Sequence, residues 1–288
     1  MLRVFFGLLM VAALAAPVAA HPQSILRTQR SSPGDLEVGG ELAGLPPGST
    51  RYVRYEDLLK LPQETYTVDD DLTLPRKTVI GGVALTTLAH LFGQSPHSTL
   101  IVAICFDRYR TNYPLDYLAV HRPLLVLTVN GKLRDDWPHA PSGDSLGYYF
   151  ISHPFFKPAF EVLSHEDEAQ IPYGVVRLEF RRESVVFDAI RPRGNWQADS
   201  PVYQGYLIAR QDCFRCHNSG AEGGRKAGRS WTELGAVAQS APERFMRIVH
   251  DPASVTPGTR MQGEPGYDRA TLEALTAYFR TFSPQPRR

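Results

Sequence analysis

Cys213-Phe214-Arg215-Cys216-His217 constrains this chain more than any other stretch of it. Two thiols three residues apart share one helical turn, where each can add across one of the two vinyl groups of a haem. The His that follows at once is carried below the ring, where an imidazole nitrogen can ligate iron. Covalent attachment then holds the haem even in a small domain. A C-x-x-C pair also occurs as a redox dithiol or as half of a zinc site. A zinc site wants a second Cys/His pair, and none follows before the C-terminus. A redox dithiol wants a strand ahead of it and a βαβ pattern around it, whereas the residues before Cys213 read as helical. Covalent haem attachment through Cys213 and Cys216, with His217 on iron, is the expected chemistry.

The flanking residues supply a helical frame. Gly205 sits in a short helix that runs into Cys213, and its missing side chain allows a second helix backbone to approach. That second helix is expected last in the chain, with Asp268 as N-cap and Leu272, Leu275, Phe279 and Phe282 on one face. A further helix is expected from Pro242, through Phe245, Ile248 and Val249, stopping before Pro252. The sixth position on iron is expected to go to Met261, in Pro257-Gly258-Thr259-Arg260-Met261-Gln262-Gly263, a turn-rich loop able to fold its sulfur across a ring. A thioether is a soft, neutral ligand that favours ferrous iron. Met246 reads as core filling and His250 as a residue favoured near a helix C-terminus.

Taken together, residues 201–283 resemble a class I cytochrome c domain. The resemblance rests on Gly205, Cys213–His217, Pro257-Gly258-Thr259-Arg260-Met261 and a closing helix ending in Ala277-Tyr278-Phe279. It implies a small all-α fold, one covalent haem c with His217 and Met261 as axial ligands, and single-electron transfer. Ala209 stands where an aromatic is usual, which is expected to loosen the helix crossing slightly.

The other two thirds of the 288 residues read differently. Met1-Leu2-Arg3, the apolar run Val4–Ala16 and the small residues of Pro17-Val18-Ala19-Ala20 read as a signal peptide over 1–20, giving an exported, periplasmic product that starts at His21. No later stretch is long and apolar enough to span a bilayer. The formal charge is +1, so no general field draws the chain to nucleic acid. Residues 21–34 read as a disordered lead-in. From Asp35 to about residue 190 short β-rich runs (Thr65–Val68, Leu100–Cys105, Leu124–Val129, Val175–Phe180) alternate with short helices near Tyr55–Leu59 and Leu85–Phe92, an α+β domain. Residues 191–201 are rich in turn formers and read as the linker to the helical domain.

Residues 36–133 resemble, more loosely, the molybdopterin-binding domain of the sulfite oxidase type. The matching pieces are Leu36–Gly40, Asp57-Leu58-Leu59 with Leu61-Pro62, Gly82–Leu88, Phe106–Tyr109 before Tyr113-Pro114-Leu115, and Leu127–Leu133. In that family a cysteine supplies a thiolate to molybdenum. Here the corresponding Tyr66-Thr67-Val68-Asp69-Asp70-Asp71 has none, and a carboxylate is a poor replacement for a soft thiolate. The family's Gly-x-Pro-x-Arg and Lys-Trp elements are also missing. Cys105 reads as a buried small hydrophobe, and no molybdenum cofactor is expected. His139, His153 and His165 read as surface residues, and Arg108 with Arg110 as solvent-facing charge. The expected function is an exported monohaem carrier passing single electrons between periplasmic redox partners. The alternative is a molybdenum-dependent oxidoreductase of the sulfite oxidase type that reduces its own haem c.

Overall fold

The computed structural model describes residues 25–69, 73–75, 77–140, 142–154 and 169–283. The expected signal peptide, Asp70, Asp71 and His165 lie outside them. The first half is built from β1 (Leu36–Gly40), β2 (Arg51–Val53), α1 (Tyr55–Leu58), β3 (Glu64–Val68), β4 (Thr78–Ala84), α2 (Leu85–Phe92), β5 (Leu100–Cys105), β6 (Arg110–Pro114), α3 (Leu115–His121), β7 (Leu124–Val129), β8 (Phe150–Ser152), β9 (Val175–Arg181) and α4 (Glu183–Asp188). The strands make a five-stranded sheet in the order β2-β1-β9-β5-β6 and a four-stranded sheet in the order β3-β4-β7-β8. The rest is α5 (Pro201–Gln211), α6 (Cys213–Cys216), the two-stranded ribbon β10 (Asn218–Ser219) and β11 (Glu222–Gly223), α7 (Trp231–Ser240), α8 (Pro242–His250), α9 (Pro252–Val255) and α10 (Arg269–Arg280). The chain is therefore mixed α and β, with two large sheets and ten α-helices among the described residues.

Side-chain alternation along the strands explains the layering. In β5 the residues Ile101, Ala103 and Cys105 enter a core between the two sheets, which they share with Leu125 and Leu127 of β7. Their alternates Leu100 and Val102 point the other way, into a second core with Val186 and Phe187 of α4, Val202 and Ile208 of α5, Phe214 and Trp231. On β7, Leu124 and Val126 face a third, smaller core with Leu74, Ala140 and Leu146. An unbroken apolar run such as Leu-Ile-Val-Ala-Ile-Cys is what a strand buried on both faces requires. One consequence departs from the sequence reading: residues 191–201 do connect two units, but those units share a core. The helices form a layer on the open face of the five-stranded sheet. Tyr278 of α10 seals the joint, its hydroxyl donating to the Ile190 carbonyl and accepting from Trp231 Nε1 at 3.0 Å.

Helix ends follow the sequence closely. Asp268 accepts from the Thr271 N–H at 2.9 Å, Ser200 caps α5, and Pro242 opens α8. The crossing of α5 with α10 depends on Gly205. A Cβ there would lie 2.2 Å from the Ala274 carbonyl oxygen and 2.6 Å from its carbon, both backbone atoms that cannot swing aside. The crossing is tight despite Ala209, which is itself fully buried. Tyr206 and Tyr278 fill the space, with ring centroids 5.9 Å apart. We expect Gly205→Ala to cost about 2–3 kcal/mol, as overpacking a rigid contact does. Denaturant unfolding of the full chain measures it, and a loss below about 0.5 kcal/mol would show that the helices separate freely.

Two expectations for the first half are corrected. The lead-in is ordered from residue 25: Ile25 and Leu26 pack on the inter-sheet core, and Arg27 exchanges backbone hydrogen bonds of 2.9 Å with Tyr52. Two apolar residues in a polar stretch suffice to tie it down. His153 is also not a surface residue. It follows β8 directly at 2% exposure, with Nε2 2.9 Å from the Tyr117 hydroxyl, and burial, with His121 nearby, pushes its pKa down to about 3.

Candidate functional site

The last turn of α5 delivers Cys213 directly into α6, a single turn that places Cys213 and Cys216 on one short segment as free thiols. The His217 N–H closes the turn by donating to the Cys213 carbonyl at 2.9 Å, after which the chain becomes extended. His217 is 8% exposed, and its Nδ1 lies 2.7 Å from the Arg229 carbonyl oxygen. A carbonyl can only accept, so Nδ1 carries the proton and Nε2 keeps its lone pair. The carbonyl is itself held in place, because Arg229 precedes a capping box at the start of α7. There Ser230 and Glu233 bond each other's backbone N–H. Ser230-Trp231-Thr232-Glu233 carried that signature in the sequence. The hydrogen bond back to His217 did not show there.

The segment after His217 wraps the turn closely. Gly224 donates its N–H to the Phe214 carbonyl at 2.9 Å, and Ala227 donates to that of Cys216 at 3.0 Å. A Cβ on Gly224 would fall 1.7 Å from the Arg215 carbonyl oxygen, so only glycine passes there. Phe214 points inward, fully buried, with its ring 5.4 Å from that of Trp231.

Burial pushes the Cys213 thiol well up, helped by Asp212 and Glu264. Burial also raises Cys216, against the opposing charges of Lys226 and Arg215. Glu264 is pushed up to about 7 by burial and by Asp212, with Arg215 opposing. The sequence reading had no role for Glu264, whose position beside the turn is set by folding.

The structure gathers Cys213, Cys216 and His217. It leaves Met261 39% exposed on the irregular stretch before α10, its N–H bonded to Thr259 Oγ1 at 3.2 Å. Neighbours of Met261 do reach the turn: the Glu264 carboxylate acts electrostatically on the Cys213 thiol, and the Tyr267 hydroxyl donates to the Asp212 carboxylate. Met246 is buried at 6% among Phe245 and Val249, and His250 is exposed at the end of α8. Among the described residues no group of three or more His, Cys, Asp and Glu gathers as a metal site.

These residues fit a covalently attached haem: two thiols on one turn, an imidazole with Nε2 unengaged, and a strap that only glycine can thread. The first half does not fit a thiolate-bound molybdenum. The chain has three cysteines, and the one outside the turn, Cys105, is 2% exposed within the inter-sheet core. Arg108 is exposed, as the sequence reading has it, whereas Arg110 is not solvent-facing charge. Arg108 sits in a turn at φ +69°, while Arg110, partly buried, faces Glu222 at 3.9 Å. A cavity of about 420 Å³ lies where α3, α4 and α5 meet, lined by Asn112, Tyr117, Gln170, Phe187 and Arg210 among others. None of Cys213, Cys216, His217 and Met261 lines it.

Comparison with known proteins adds little. No protein-family model matches the chain. No curated protein matches it either. Among solved structures, the sulfane dehydrogenase SoxCD from Paracoccus pantotrophus is 15% identical, with a TM-score of 0.38 over 54% of this chain and 40% of that one. The chain thus spans well under half the length of that neighbour, and a likeness of this size carries no argument about the site. No helix of the described residues is long and apolar enough to cross a membrane.

Proposed function

We propose that the chain is an exported monohaem c-type cytochrome. It would carry haem c on Cys213 and Cys216, with His217 and Met261 as axial ligands, and pass single electrons between periplasmic redox proteins. The observation that carries the reading is the His217 geometry: a buried imidazole whose Nδ1–H is committed to the Arg229 carbonyl, immediately after two thiols on one turn. Bound haem would supply an iron that cycles between ferric and ferrous states. The chain's own residues form a frame that would orient such a ring: Phe214 anchors the turn against Trp231, and the 222–227 strap hydrogen-bonds to it. Residues 201–283 are read as a class I cytochrome c domain on this basis. Residues 35–190 are read as a sulfite-oxidase-like scaffold that works without molybdenum, since no thiolate is available there.

Elemental analysis of the purified, matured full-length chain, paired with a reduced-minus-oxidised visible spectrum, tests this. One iron per chain, a c-type spectrum and no molybdenum is the expected result. Stoichiometric molybdenum beside iron would instead make the chain an oxidoreductase that reduces its own haem.

A further inference from the structure

The strap that closes over the attachment turn is held from both sides. Its inner bonds run to α6, as described above. Its outer bonds run to the β5–β6 turn of the first half, residues 106–109. The Arg225 N–H donates to the Arg108 carbonyl at 2.9 Å, and Lys226 Nζ pairs with Asp107 Oδ2 at 2.8 Å. Lys226 also stands over the Tyr109 ring at 5.3 Å. At the other end of the strap, Glu222 receives Arg181 at 2.5 Å. The turn is itself rigid: the Tyr109 N–H donates to Asp107 Oδ1 at 3.0 Å, and Cys105 and Tyr109 are joined through their backbones at 2.9 Å. One carboxylate, Asp107, therefore fixes its own turn with one oxygen and the strap with the other.

We propose that the β5–β6 turn is a built wall of the haem site, and that Lys226 and Asp107 set opposing electrostatic biases on the iron. The proposal rests on the reading of Cys213–His217 as a haem-attachment turn, and it gives the first half a defined task. Oxidised haem carries one more positive charge than reduced haem, so a nearby cation favours the ferrous state and a nearby carboxylate the ferric state. Both groups stand at the attachment turn: Ala227, next to Lys226, donates to the Cys216 carbonyl at 3.0 Å, and Arg108, next to Asp107, accepts from the strap at 2.9 Å. The pair is 37% and 30% exposed, which screens the effect without removing it.

The test is the midpoint potential of the full-length holoprotein carrying Lys226→Gln, Asp107→Asn or both, with haem content read from intact mass. Lys226→Gln is expected to lower the ratio of reduced to oxidised haem at a fixed solution potential about two- to threefold. Asp107→Asn is expected to raise it by a similar factor. For a one-electron couple this is about 20–30 mV in each direction, and the double variant should return close to the parent. If the ion pair only holds the strap in place, both single variants loosen the same contact and move the potential the same way. That result, or no movement in either, overturns the proposal while leaving the haem reading intact. A chain whose mass shows no haem overturns the haem reading itself, and this inference with it.

Discussion

Replacing Cys213 and Cys216 together by Ala yields a full-length chain whose intact mass equals that of the bare polypeptide and which shows no covalently retained haem absorption in denaturant. The expected loss is complete, because the chain has only one other thiol and Cys105 is sealed between the sheets. The two single variants should each keep at most one thioether link. Stability should also fall in the matured protein. A group that binds only the folded state contributes RT ln(1 + [L]/Kd), and a covalent link makes its effective concentration very high. Comparing thermal unfolding of the matured parent and the double variant measures that term. Haem retained in denaturant by the double variant would place the attachment elsewhere and end the reading of the turn.

The second large effect is expected at Met261. Met261→Ala should leave the fold of the haem-free chain almost untouched, within about 0.5 kcal/mol, because there the side chain is exposed and its backbone tie to Thr259 Oγ1 remains. Loss of a soft neutral ligand should disfavour ferrous iron. We expect the reduced-to-oxidised ratio to fall more than tenfold, a shift beyond about 60 mV for one electron, and the reduced protein to bind carbon monoxide rapidly. His250→Ala is the control and should change neither property, since that side chain is exposed at the end of α8. An unchanged spectrum and potential in Met261→Ala, with a change in His250→Ala, would move the ligand role to His250.

Much of the helical frame was legible because its signals are local. Asp268 as N-cap, Pro242 opening α8 and Gly205 in a close helix crossing are each written within a few residues, and the structure has all three. The strands Leu100–Cys105 and Leu124–Val129 were legible as β-rich apolar runs, the second broken only by Thr128. Long-range choices were not. Nothing near His153 announces that the Tyr117 hydroxyl, 36 residues away, reaches its ring. The order of Ile25–Gly34 depends on partners across the first sheet. The Asp107–Lys226 pair joins residues more than 100 positions apart, each unremarkable in its own surroundings.

The proposed attachment chemistry was read from the sequence alone. Two thiols three residues apart meet on one turn where the stretch is helical, as it is in α6, and the imidazole follows at once. What covers the second face of β5 could be decided only in three dimensions. The alternation in Leu-Ile-Val-Ala-Ile-Cys requires a neighbour on each side but names neither, because an apolar face accepts any apolar partner. Folding chose the helical layer, and in doing so set the β5–β6 turn against the segment that follows His217.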